Sequence, residues 1–173
     1  MPSLILKSLA LKSATRKMRL FAFRKRNLLG TLLVTLQFSL LLGLAALSAV
    51  RVLSGDIPLY PLLLVAVSLV LAVWTLMHNR PGNFNIRPTP KTWGTLVTTG
   101  PYRWIRHPMY TSVLLGAAAL AFMSNPALGW LAWSALAMIL LVKSSLEERW
   151  MREQHLEYDA YRFVSKRFIP WVI

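Results

Sequence analysis

The sequence predicts an all-α integral membrane protein with four transmembrane helices. The last two form a tight hairpin, a basic helix precedes the first span, and a cytoplasmic helical segment follows the last. Three observations carry this: an apolar, cation-rich composition, long uncharged runs, and connections that alternate between basic and uncharged. Of 173 residues, 55% are hydrophobic and only 15% charged, with 20 Lys+Arg against 6 Asp+Glu. A soluble domain carries about a quarter charged residues. High apolarity with a positive excess fits a membrane protein whose basic loops share one side. A nucleic-acid binder needs a basic face on a soluble fold, and this chain has too little polar surface for one. The absence of cysteine excludes a disulfide, a thiolate nucleophile and a Cys-ligated metal.

Residues 1–27 hold eight basic side chains and no acid. They read as an uncleaved amphipathic segment drawn to anionic lipid, although an acid-free start with Arg and Ser is also compatible with a mitochondrial transit peptide. Residues 28–77 hold two spans. Leu28 to Val50 is 23 uncharged residues, roughly 35 Å as a helix, and Ile57 to Met77 adds 21. Residues 78–173 make the third unit: a long loop, a hairpin and the C-terminal segment. Its run from Met109 to Val142 is 34 residues without a charge. As one helix that would reach about 50 Å, against a hydrocarbon core of about 30 Å. Its centre reads "SNPALG", where Ser124 or Asn125 can cap a helix whose first turn holds Pro126. Two short arms result, about 109–123 and 126–142.

The charges agree with this division. The loop 51–56 has one Arg and one Asp, the loop 78–108 has five cations and no acid, "SNPALG" has no charge, and the tail from Lys143 has six cations. Four crossings with both termini in the cytoplasm satisfy the positive-inside rule. The expected localisation is a bacterial inner membrane, with mitochondrial and endoplasmic reticulum membranes as alternatives.

Polar residues in unusual places fall on one membrane face. The loop 78–108 spans about 30 residues, a length that is usually functional or disordered. Its Phe84, Trp93, Tyr102 and Trp104 argue for order. Arg106 and His107 precede Pro108, at a helix start whose free N–H groups favour an anion; the alternative is cations snorkelling to lipid phosphates. Glu147 and Glu148 follow the last apolar arm by one turn. They are either ligand carboxylates or a helix end with a Glu148–Arg152 pair four residues apart. Tyr158 and Tyr161 share a helix face, for a ligand or for an interfacial aromatic belt. Three scattered histidines make no zinc site, and no metal is expected. An anion-favouring helix start and a carboxylate pair, converging from two arms of one hairpin, suit a zwitterionic, amino-acid-like ligand.

"LVTTGPYRWIRHPMY", an apolar hairpin, and "EERWMREQHLEYDAYRFVSKRFIP" together resemble the membrane-embedded isoprenylcysteine carboxyl methyltransferase and phospholipid methyltransferase superfamily. The resemblance covers about residues 80–170. It implies S-adenosylmethionine as cofactor, held by Arg106, His107, Pro108 and Tyr110, by Glu147 and Glu148, and by Tyr158 and Tyr161, which close the site. It implies a lipophilic acceptor in the bilayer, with no obligate protein partner. An isoprenylcysteine-like carboxylate would need a positioning cation such as Arg87 or Arg103. A phospholipid amine would need to lose a proton, with a nearby carboxylate such as Glu148 or a Tyr to assist. Two departures stand out: Ser112 replaces the family's small Gly, and His155–Leu156 replaces the "FG" before the first tail tyrosine. The rival readings are an NADPH-dependent reductase of the related sterol-reductase fold, and a non-catalytic membrane scaffold.

Overall fold

A computed structural model describes residues 2–79 and 95–172. Arg80, Phe84, Arg87, Lys91 and Trp93 of the long loop therefore lie outside the described residues. Five α-helices and one 3-10 turn follow in order: α1 (Pro2–Leu53), α2 (Leu59–His78), the turn Gly100–Arg103, α3 (Pro108–Met123), α4 (Pro126–Gln154) and α5 (Tyr158–Val164). The described residues hold no strand beyond a single parallel bridge between Ile105 and Lys166.

Three helices are long and apolar enough to cross a membrane, within Arg24–Leu53, Leu59–His78 and Pro126–Gln154. Helix α3 is apolar but has only 16 residues, about 24 Å of rise. The expected break between the basic segment and the first span is absent, because α1 continues through it. No proline interrupts residues 3–53, and Leu, Lys, Arg and Ala are strong helix formers.

The turn between α3 and α4 assigns the two candidate cap residues separate roles. Ser124 closes α3, its hydroxyl donating to Ala121 O at 2.9 Å. Asn125 caps α4, its side chain accepting from the amides of Ala127 and Leu128 at 3.1 and 3.3 Å. Gly129 sits where a Cβ would lie 2.0 Å from Ser124 Oγ, so the first turn of α4 can fold back closely only without a side chain. The arms then run antiparallel: Trp133 Nε1 donates to Leu114 O at 3.0 Å, and Glu147 reaches Tyr110.

Packing inside the bundle relies on small residues and a few polar contacts, as it must where lipid is as apolar as the core. Leu44 of α1, Ala117 and Ala121 of α3, and Leu136 and Leu140 of α4 form the buried cluster. Ser68 of α2 donates to Ser112 O at 2.7 Å and stands 3.1 Å from where a Gly116 Cβ would be. The departure at Ser112 is thus absorbed: its side chain bonds Met109 O while α2 approaches its carbonyl. Lys143, counted from sequence among the tail cations, is instead buried, donating to Gln37 Oε1 of α1 at 2.6 Å and lying over the Tyr110 ring. A buried ammonium requires such a partner. The side of α2 away from α3 exposes Leu62, Leu63, Val67 and Val70, as a lipid-facing helix should.

Gly100 explains the "TGPY" motif. Its φ is +59°, and a Cβ there would lie 2.4 Å from the His78 ring at the end of α2. Trp104, just beyond the 3-10 turn, packs on Trp74 with centroids 5.8 Å apart. Gly100→Ala is therefore expected to lose about 1–3 kcal/mol, from left-handed backbone strain and overpacking against His78. Thermal unfolding in detergent would show this as a lowered midpoint.

Candidate functional site

Three segments meet at one end of the bundle: the approach to α3, the last turns of α4, and the C-terminal chain beyond α5. The first and third lie side by side. Arg106 N donates to Lys166 O at 2.7 Å, His107 N to Arg167 O at 3.1 Å, and Lys166 N to Trp104 O at 2.9 Å. Thr111 Oγ1 adds a bond to Phe168 O at 2.8 Å. Pro108 fits because the first helical residue needs no amide donor.

Glu148 lies at the centre of these three segments, with 1% of its side chain exposed. Arg106 Nε donates to its Oε1 at 2.9 Å. Arg167 grips both oxygens, Nε to Oε1 at 3.2 Å and Nη2 to Oε2 at 3.1 Å. Arg162 Nε stands 3.5 Å from Oε2. Arg106 is further tied to the carbonyls of Arg162 and Ser165, so its guanidinium is held on both sides. The helix-end alternative for Glu148 is not realised: Arg152 donates to the Glu148 carbonyl, not to its carboxylate, and pairs with Asp159 at 4.0 Å.

Glu147 holds a second group of partners. Its Oε1 accepts from the Tyr110 hydroxyl at 2.6 Å, and its Oε2 lies 3.2 Å from His107 Nδ1. The His107 and Tyr110 rings stack 5.4 Å apart, with Phe168 against both. His107 Nε2 lies 3.4 Å from Glu148 Oε1 without hydrogen-bonding alignment, so this buried nitrogen pairs with charge but has no hydrogen-bond partner among the described residues. Burial opposes charge on the ring, but hydrogen bonding and the charges of Glu147 and Glu148 outweigh it and raise the His107 pKa.

The tyrosines line the adjoining wall. Tyr158 and Tyr161 are buried with centroids 5.9 Å apart, and the Tyr161 hydroxyl donates to Tyr102 O at 2.7 Å. Burial, assisted by the charge of Glu147, pushes Tyr102 up to about 12. Burial likewise holds Tyr158 and Tyr161 above the ordinary phenol value. His155 caps α4 and Leu156 is fully exposed in the turn before α5, so this turn forms without the family's "FG".

Arg106, His107, Pro108, Tyr110, Glu147 and Glu148 thus converge, with Tyr158 and Tyr161 beside them. Arg103 ends the 3-10 turn exposed, and no hydrogen bond or ion pair among the described residues joins it to the cluster. Sequence reasoning missed Arg162, Arg167 and the Lys143–Gln37 pair. The tail arginines read only as side-determining charge. Gln37, the one amide in the uncharged run Leu28–Val50, was the available signal for a buried partner.

The described residues thus form a helical bundle with a buried acid–arginine cluster at the end of a hairpin. A family model described as phospholipid methyltransferase matches residues 57–157, 101 of the 173 positions. The chain belongs to the phospholipid methyltransferase family and is a membrane methyltransferase of lipid-directed type. The match takes in Arg106 through Tyr110 and both glutamates and stops just before Tyr158. No curated protein matches the chain significantly. The family match gives the reductase and scaffold alternatives no support.

Two outcomes are expected. Glu148→Ala leaves the nearly buried Arg106 and the partly exposed Arg162 and Arg167 without their carboxylate and should cost about 3–5 kcal/mol, read by denaturation in detergent. The second concerns pH. A His107 pKa raised above its unfolded value of about 6.5 contributes stability that is complete below that pH and lost as pH rises through the folded value. The unfolding midpoint should fall across that window, and His107→Gln should flatten the decline.

Proposed function

We propose that the protein transfers a methyl group from S-adenosylmethionine to a lipophilic acceptor at the cytoplasmic face, with both termini on that side and α3 as a fourth, short crossing. The observation that carries this is the meeting of Arg106 and His107 with Glu147 and Glu148 at the end of the α3–α4 hairpin. The donor set fits the cofactor. It offers carboxylates for an ammonium group, and guanidinium groups and the buried His107 Nε2, which makes no aligned hydrogen bond, for a carboxylate. When bound, S-adenosylmethionine supplies an already activated methyl on a sulfonium.

The chain's own residues have to hold, orient and exclude water. Glu148 and Arg106 are committed to each other and to the tail, so their part is to keep the wall in place. Glu147 keeps 21% of its side chain exposed and is the glutamate assigned to the ammonium group. His107 is assigned to the carboxylate, with the partly exposed Arg167 adding its charge from beside Glu148, and Tyr158 and Tyr161 close the side. The acceptor favoured is a phospholipid amine, given the family. An ammonium headgroup must lose a proton before it can accept a methyl. The partly exposed Arg162 and Arg167 favour a second reading, in which the acceptor is an isoprenylcysteine-like carboxylate held by cations.

Titration calorimetry with S-adenosylmethionine on detergent-purified protein tests the binding half. Glu147→Gln removes a charge-assisted contact of about 1.5–3 kcal/mol and should weaken affinity roughly 10- to 150-fold without loss of fold. Unchanged affinity would overturn the assignment. Methyl-labelled cofactor given to membranes should put label into the lipid fraction.

A further inference from the structure

The C-terminal segment that closes the cluster also carries six strongly exposed apolar side chains. Leu156 and Phe163 are 101% and 94% exposed, Trp171 84%, Val164 77%, Val172 72% and Ile169 51%. Helix α5 accounts for part of this pattern. At about 100° per residue, Tyr158, Tyr161 and Ser165 share the buried side, and Phe163 falls opposite them. Exposed aromatic and aliphatic side chains in such density need an apolar partner.

The tail's height relative to the bilayer is set by its hydrogen bonds. Lys166, Arg167 and Phe168 are bonded to Trp104, Arg106, His107 and Thr111. Trp104, Arg106 and His107 lead directly into α3 and Thr111 lies in its first turn, and the stretch from Met109 to Met123 contains no charge. Glu147 and Glu148, which mark the end of the apolar part of α4, contact the same residues. Two apolar helix ends therefore fix one level, and the tail is pinned to it. Around the exposed apolar residues stand Arg162, Lys166 and Arg167. The acid nearest Phe163, Asp159, is offset by Arg152 at 4.0 Å and Arg162 at 3.8 Å. Apolar side chains alternating with cations are the composition of a segment lying in a lipid interface.

We infer that α5 and the tail 169–172 lie in the headgroup layer, with Phe163, Val164 and Trp171 reaching the acyl boundary. The occupant of this face is the bilayer surface, because the segment is hydrogen-bonded to the residues at the ends of the apolar helices. This holds whether or not the chain transfers methyl groups. The site wall bearing Arg162 and Arg167 is then also a lipid contact, and an acceptor headgroup can reach it by lateral diffusion.

The absence of cysteine makes the test direct. Single cysteines at Phe163, Trp171 and, as a water-exposed control, Glu157 would be spin-labelled in the protein reconstituted into lipid nanodiscs. Collision rates with oxygen and with an aqueous nickel chelate report depth. The oxygen-to-nickel ratio should be several-fold higher at 163 and 171 than at 157. Equal ratios at all three positions would overturn the inference. As a second measurement on the unlabelled chain, lipids brominated near the headgroup should quench the part of the fluorescence that Trp171→Phe removes. No quenching of that part would overturn it equally.

Discussion

A single carboxylate with 1% exposure organises the end of this bundle. Glu148 could not be buried uncompensated, since an isolated charge taken from water costs several kcal/mol even after relaxation. Its compensation comes from three arginines on two different segments, Arg106 before α3 and Arg162 and Arg167 beyond α4. The charge therefore ties the start of one helix and the end of the next to the C-terminal chain. Arg106 in turn bonds the carbonyls of Arg162 and Ser165. The short backbone ladder between 104–107 and 166–167 follows from that arrangement, as does the enclosure of His107, Tyr110 and Phe168.

This arrangement separates the two glutamates that adjacent positions made hard to distinguish. About 100° of helix rotation turns Glu148 into the arginine cluster and Glu147 toward His107 and Tyr110. One is committed to the fold and the other retains some exposure. The same logic extends inward: Lys143 is one turn before Glu147, and it faces Gln37 and the Tyr110 ring. A continuous line of polar groups thus runs from α1 in the bundle interior to the cluster.

Much of this was legible in the chain. Uncharged runs of 20 residues or more found the long helices, because a bilayer tolerates no unpaired backbone and few charges. Pro126 behind a capping residue located the hairpin, since that order serves only a helix start. The motif around Arg106 and the pair Glu147–Glu148 picked out side chains that the fold brings together. What remained hidden was pairing across distance. Arg162 and Arg167 are ordinary tail cations until the chain returns to the α3 start, and no local pattern encodes that return. Lys143 looked like a side-determining charge because its partner lies over a hundred residues earlier. The continuity of α1 was missed for a different reason: a change in composition at residue 27 marks a change of solvent, not a break in hydrogen bonding.

The central claim is that Glu148 holds the tail against the α3 start. Backbone hydrogen exchange by mass spectrometry, on the protein in nanodiscs and on Glu148→Gln, tests it most directly. The account predicts that segments 104–107 and 165–168 lose protection together, while α2 and the α3 stretch bonded to Ser68 keep theirs. Unchanged protection in both segments of the variant, or loss in one without the other, would contradict it.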